Sequence, residues 1–311
     1  MVDAVDTAIP EVAALRQAFN FIPSWRFDDV MVSYATRGGS VGPHFDRYDV
    51  FLLQGSGSRE WRIGQYCDSE SALQQNKPLT LLAEFEQQDV YRLNPGDILY
   101  LPPQLAHWGI ALDSECMTYS IGFRAPSFAE VLEDFAHAAA HRYSEDQRYR
   151  DPATARVTEV GEISREALAE VRQILNAATR DEQLVAEWFG GLVTRRTAAD
   201  LDATNGETEE CAQDDVSNNC VEFSNLNAFR EAINQAESIF KALDTRCAYL
   251  SNDALGEASN ASCSLTDANN ASSNSTIRFF LNGQCYNYSS EWSTVIATLC
   301  RDSQFAGDSF E

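Results

Sequence analysis

The chain has 311 residues, 44% of them hydrophobic and 23% charged, enough for a main domain with one or two smaller ones. Its net charge of −24 argues against a nucleic-acid surface, which needs a basic face to meet phosphate. That charge suits a cationic protein partner, or serves solubility alone. No apolar run approaches a membrane span, and the acidic N-terminus lacks the basic-then-apolar order of a signal peptide, so a cytoplasmic protein is expected. None of the eight cysteines falls in a C-x-x-C pair, and free thiols are expected.

Residues 27–126 read as strands. The segments 29–36 (DVMVSYAT), 49–55 (DVFLLQG), 59–65 (REWRIGQ), 89–93 (DVYRL), 97–102 (DILYLP) and 117–123 (MTYSIGF) are rich in β-branched and aromatic residues. Gly- and Pro-containing turn signals separate them, and short strands at this spacing favour a barrel or sandwich. After Pro126 the character changes. Residues 127–143 form a helix that Ser127 can cap, with Glu130 at the capping-box position. Two further amphipathic helices follow at 163–179 and 181–194. Their apolar faces need a partner, and a second subunit would supply it.

Residues 198–223 are acidic and poor in large apolar residues, as a linker is. Beyond it come a helix at 226–243, a polar stretch near 251–275, a hairpin at 277–288 turning on Asn282-Gly283, and a last helix at 290–299. Helices followed by a hairpin predict a small winged-helix-like module over 224–311, and its acidity favours contact with protein rather than DNA.

Only four histidines are present. In the run Gly42-Pro43-His44-Phe45-Asp46, His44 and Asp46 are two apart, so a strand puts both on one face. His107 opens another strand, after a Pro-Gly-Asp turn and a Pro-Pro turn. Two imidazoles and one carboxylate make the facial triad that suits non-haem Fe(II) and leaves three coordination positions open. By chance alone H-x-D is a common tripeptide, so the surrounding pattern carries the reading. His137 and His141 share the four-residue spacing of zincin ligands but lack the Glu base, and read as helix surface. Asp49 is kept as a possible further carboxylate ligand.

Residues 26–126 resemble the JmjC-type cupin oxygenases, above all the bacterial ribosomal oxygenases that hydroxylate an arginine of a large-subunit ribosomal protein. The resemblance is carried by RFDDVMVSYATRGGSVGPHFDRYDVFLLQGSGSREWRIG (26–64), LNPGDILYLPPQLAHWGIAL (93–112) and TYSIGFRAPS (118–127). It implies a double-stranded β-helix barrel over residues 1–126, a helical dimerisation region over 127–197, the linker at 198–223 and a winged-helix-like domain over 224–311. It further implies that His44, Asp46 and His107 bind Fe(II), and that Arg59 holds the distal carboxylate of the cosubstrate 2-oxoglutarate through its planar fork. O2 is the third reactant. Strand alternation puts the rival Arg62 on the opposite face. Thr118 and Ser120 are expected to add hydroxyl contacts to the cosubstrate, and Asp28 and Asp29 to receive a cationic substrate.

The partners implied are a basic ribosomal protein as substrate and a second copy of the chain. The family carries more chain ahead of the barrel, so the domain reads as N-terminally shortened, with a sheet edge or apolar face left bare. Two other readings stay open. One is hydroxylation of a His or Asn, or demethylation of N-methyl-lysine. The other is a metal-binding cupin scaffold without turnover, against which the presence of Arg59 speaks.

Overall fold

The computed structural model describes residues 1–75, 80–151, 161, 163–195, 245–251 and 276–302, together with the backbone at 239–240 and 304–305. It divides into two compact units, the first built on residues 1–125 and the second on residues 126–195 and 247–296.

The first unit holds seven strands: β1 (Phe27–Ala35), β2 (Asp49–Ser56), β3 (Arg59–Tyr66), β4 (Asp89–Leu93), β5 (Ile98–Leu101), β6 (Leu105–Ala111) and β7 (Cys116–Phe123). All pair antiparallel, in two sheets ordered β1-β7-β2-β5 and β4-β3-β6. Each segment that alternates in the sequence is a strand. The alternation exists because one face of each sheet turns inward, where Val50, Leu52 and Leu101 meet Trp61, Ile63 and Leu93. Burying each such side chain contributes about 1.5–3 kcal/mol.

The expectation of a bare face is corrected. Residues 1–26 form short helical turns that lay Val12 and Phe19 on Phe27, Val30, Ile121 and Phe123, the outward side of the larger sheet. The free edge of β1 is met as well, since Val2 and Val32 exchange both backbone hydrogen bonds at 2.9 Å. Sequence patterning missed this cover because a segment without regular periodicity can still bury a few large side chains.

The second unit contains α1 (Phe128–Ala140), α2 (Arg165–Arg180) and α3 (Glu182–Thr194). The capping box forms as expected: Ser127 Oγ accepts from the Glu130 amide, and the Glu130 carboxylate accepts from the Ser127 amide. Ser164 and Asp181 cap the next two helices through Ala167 N and Leu184 N. Trp188 and Glu187 of α3 hold α1 through Asp134 (2.7 Å) and Arg142 (2.8 Å).

A three-stranded sheet completes the unit. It is ordered β11-β10-β9, from β9 (Cys247–Leu250), β10 (Thr276–Leu281) and β11 (Gln284–Ser289), and is followed by α4 (Ser293–Arg301). The turn between β10 and β11 falls on Asn282 (φ 47°) and Gly283 (φ 86°), the left-handed pair that the Asn-Gly signal predicts. Gly190 of α3 lies so close to Phe280 that a Cβ there would stand 2.3 Å from the ring. Gly190→Leu is therefore expected to destabilise the helix–hairpin contact by about 1–3 kcal/mol, read as an earlier urea midpoint.

The linker at 198–223, most of the helix expected over 226–243 and nearly all of the polar stretch 251–275 lie outside the described residues. Within the expected helix, Ile239–Phe240 are instead a two-residue strand, β8, which pairs with β12 (Gln304–Phe305). A β-branched residue beside an aromatic one takes the extended form where a partner strand is within reach.

Candidate metal centre

His44 and His107 lie far apart in the chain and are joined by backbone. The His44 amide donates to the His107 carbonyl (3.1 Å), and the His107 amide donates back to the His44 carbonyl (2.8 Å). The approach to His44 needs Gly42, at φ 109°, where a Cβ would stand 3.1 Å from Leu81. The approach to His107 is the Pro102-Pro103-Gln104 turn, where Gln104, at φ 69°, donates its amide to the Asp46 carbonyl (2.6 Å). One turn thus fixes both Asp46 and the start of β6.

The three side chains converge. Their candidate ligand atoms all lie within 4.8 Å of one another, and among the described residues no other group of three or more His, Cys, Asp or Glu side chains does this. His44 Nδ1 stands 2.9 Å from the Gly42 carbonyl and His107 Nδ1 3.0 Å from the Leu105 carbonyl. A carbonyl only accepts, so both Nδ1 atoms carry the proton and both Nε2 lone pairs face the centre. Burial, and then the neighbouring His44, push the His107 pKa down to about 3, so at neutral pH this ring is neutral. Its Nε2 contact with Asp46 at 3.6 Å is consequently two candidate ligand atoms side by side rather than an ion pair. Burial raises the Asp46 carboxyl and His44 opposes the shift, the environment of a carboxylate that a cation would stabilise.

The triad lines a cavity of about 280 Å³. Arg59 lines it too and is 6% exposed. Its Nε has no hydrogen-bond partner, and no carboxylate among the described residues pairs with it. A buried, unpaired guanidinium is costly unless an anion joins it. Arg62 points elsewhere, paired with Glu60 at 2.8 Å and set over the Trp108 ring. Sequence reasoning missed Trp61, two residues past Arg59 on the same face. Its ring carries the Arg59 guanidinium 5.6 Å from its centroid and lies 5.9 Å from the His107 ring. Gly109 makes room for it, since a Cβ there would stand 2.7 Å from the indole. The signal was present, because strand parity applied to β3 and β6 puts Arg59, Trp61, His107 and Gly109 on one side. Tyr48, also missed, lines the cavity with its pKa raised to about 12 by burial and by nearby carboxylates, so it keeps its phenolic proton.

The remaining sequence candidates divide. Ser120 lines the cavity, whereas Thr118 is 1% exposed, donates to Gln54 (2.9 Å) and is not among the lining residues. Asp29 lines the cavity and Asp28 does not, being paired with Arg124 (2.9 Å) and Arg246 (3.6 Å). Asp49 is no ligand: it binds Arg26 (2.8 Å) and accepts from the Tyr100 hydroxyl (2.7 Å).

Residues 14–131 match the family model of the JmjC domain. Around it, the chain is 42% identical over 134 residues to a probable ribosomal oxygenase of Haemophilus influenzae, covering 43% of this chain and 33% of that protein. It is 35% identical over 201 residues to the ribosomal protein uL16 3-hydroxylase of Escherichia coli, covering 63% of this chain and 52% of that one. The chain thus spans a third to a half of the length of these curated relatives. Solved structures of the E. coli protein YcfD, a ribosomal oxygenase, match 99% of this chain at 25% identity, with TM-scores of 0.71 and 0.67. The second of these is in complex with cobalt and succinic acid, and the matches span 71% and 70% of those chains. The triad, Arg59 and every lining residue of the cavity except Met1 fall within the matched residues 14–131.

Proposed function

We propose that the chain is an Fe(II)- and 2-oxoglutarate-dependent protein hydroxylase acting on an arginine of a basic, large-subunit ribosomal protein. The observation that carries this reading is the buried Arg59, unpaired in the same cavity as a metal triad with open positions. A scaffold without turnover has no use for a buried cation that no carboxylate among the described residues pairs with. His44, Asp46 and His107 fit Fe(II) in ligand number and type. Bound iron supplies the redox chemistry by which O2 and 2-oxoglutarate become succinate, CO2 and a hydroxylated C–H.

The residues of the chain then have separate tasks. Arg59 receives the distal carboxylate of the cosubstrate in a bidentate pair. Trp61 keeps the guanidinium in place and excludes water. Ser120 adds a hydroxyl contact, whereas the Thr118 hydroxyl is taken up by Gln54. Asp29 receives the cationic side chain of the substrate, while Asp28 is occupied by its own arginines. The relatives supply the target: one carries the name of a uL16 3-hydroxylase.

The deciding experiment is incubation of the Fe(II)-loaded chain with 2-oxoglutarate and peptides of large-subunit ribosomal proteins, read by tandem mass spectrometry. One added oxygen on an arginine, absent in His44→Ala, is the expected result. Oxygen on histidine or asparagine, or loss of a methyl group from lysine, would move the chain to another branch of the same chemistry. No modification and no succinate under any condition would leave only the scaffold.

Asp29 gives a pH test. Burial, with further help from Asp28, Asp6 and Asp3, raises its pKa from 3.8 to about 6, against a lowering hydrogen bond from the Ala4 amide. Between those values the folded state binds more protons than the unfolded state, so this group's contribution to stability declines as pH rises through the window, and the penalty is complete above about 6. Asp29→Asn should therefore gain thermal stability over the parent at pH 7 more than at pH 4, while the KM for the arginine peptide rises. A parallel shift at both pH values would contradict this.

We also assign residues 127–197 to self-association. Phe128 and Leu132 of α1 and Leu168, Val171 and Leu175 of α2 are exposed, and α2 has no buried residue. Two copies covering these faces would remove the liability. Sedimentation should give a dimer that Leu168→Glu/Leu175→Glu dissociates. No helix among the described residues is long and apolar enough to cross a membrane.

A further inference from the structure

The two histidines outside the barrel stand together on the last turn of α1. His137 and His141 are four residues apart, both exposed, with their Nε2 atoms 3.3 Å from each other and their rings nearly perpendicular. Two imidazole nitrogens bound at about 2.0–2.1 Å to one ion, in tetrahedral or octahedral geometry, lie about 2.8–3.4 Å apart. The observed separation falls inside that window. We infer that His137 and His141 form a bidentate surface site for a borderline divalent transition-metal ion (the class of Zn(II), Ni(II) and Cu(II)), separate from the triad in the barrel.

Three features of the place support the assignment. The helix is fixed from its other end by the Ser127–Glu130 capping box, so the four-residue spacing exists before any metal arrives and little ordering entropy opposes chelation. Only alanines, Ala138, Ala139 and Ala140, separate the two rings along the chain, and none is bulky enough to push them apart. His141 is the C-cap residue of α1, so an ion held there sits at the negative end of the helix dipole, which favours a cation. The remaining coordination positions face solvent, to be filled by water or by a ligand from another molecule. The chemistry differs from that of the zincin spacing: without a Glu between the histidines there is no base, so the site binds and staples the helix end but does not hydrolyse.

The alternative is a plain N–H···N hydrogen bond between neutral rings, which has the same separation and no affinity for metal. Ni(II) titration of the intact chain by calorimetry, with equilibrium dialysis for stoichiometry, separates the two. Expected is one fewer bound Ni(II) per chain in His137→Gln and in His141→Gln, and an independent loss of one in His44→Ala, which removes the barrel site. Each Gln variant should weaken the surface site at least tenfold. Because the chain has only four histidines, their ring protons can be assigned individually, and sub-stoichiometric Ni(II) should broaden those of His137 and His141 together in the His44→Ala protein. Unchanged stoichiometry in both Gln variants would overturn the site. So would a His141 ring that responds to Ni(II) equally well once His137 is gone, since that is monodentate surface binding. The outcome is independent of whether the barrel hydroxylates anything, because every readout is of metal binding at the helix.

Discussion

Replacing His107 with alanine will abolish metal binding in the barrel and take turnover with it. The ring is 3% exposed, its tautomer is fixed by the Leu105 carbonyl, and its pKa near 3 leaves it neutral and ready to ligate at any physiological pH. Removing it leaves two ligands, one of them a carboxylate whose burial already disfavours its charge. Two-ligand sites hold Fe(II) too weakly to keep it against buffer, and the metal's contribution to a transition state is several kcal/mol, so a fall of about a thousandfold or more in turnover is expected. The check is succinate release alongside Co(II) binding in the barrel. A second readout comes from the parent: an ion present at about a hundred times its Kd adds about 2.7 kcal/mol to folding, so a chelator should lower the melting temperature of the parent and leave His107→Ala unmoved. Parent-like turnover in the variant would remove His107 from the metal site.

Arg59→Met separates binding from folding. The native guanidinium is buried and unpaired, with the Trp61 face as its compensation. A methionine of similar reach removes the buried charge, so the protein without cosubstrate should be as stable as the parent or more so. Affinity for 2-oxoglutarate should move the other way. A desolvated, bidentate charge pair that loses one partner costs about 3–5 kcal/mol, which is a Kd weaker by roughly two to nearly four orders of magnitude. Arg59→Lys keeps the charge without the fork and should fall between them. Calorimetry with 2-oxoglutarate on the metal-loaded chain, beside urea melts of the same proteins, reads both effects. A variant that loses stability and keeps its cosubstrate would assign Arg59 to the core instead.

Much of this arrangement was legible along the chain because strand periodicity is local. Arg59 and Arg62 divide between faces by their spacing alone, and Ser127 with Glu130 announces its helix, whereas the strand expected at His44 and Asp46 is only an isolated bridge at His44. The Asn282-Gly283 turn is read in the same way. The misjudged positions have identifiable causes. Asp28 and Asp29 are neighbours on β1, and the period of two puts only Asp29 on the cavity side with Met31 and Ser33, a parity that the joint assignment overlooked. Thr118 and Ser120 lie on one face as expected, but Gln54, on the adjacent strand, takes up the Thr118 hydroxyl. Ile239–Phe240 pair with a strand more than sixty residues on, which no helical pattern could reveal.

The candidate triad that the sequence proposes is thus read in part at each level. Residue types and local patterns pointed to the candidate ligands and the candidate anchor, and put Arg59 and Arg62 on opposite faces, since strand parity depends on neighbours one or two residues away. Only the tertiary structure decided which polar groups are left without partners. The amides and carbonyls that exchange between His44 and His107, the arginines that occupy Asp28, and the unpaired guanidinium of Arg59 all depend on segments remote in sequence. A hydrogen bond or ion pair consumes a group only when folding brings its partner within about 3 Å, and whether that happens is not written in any local window.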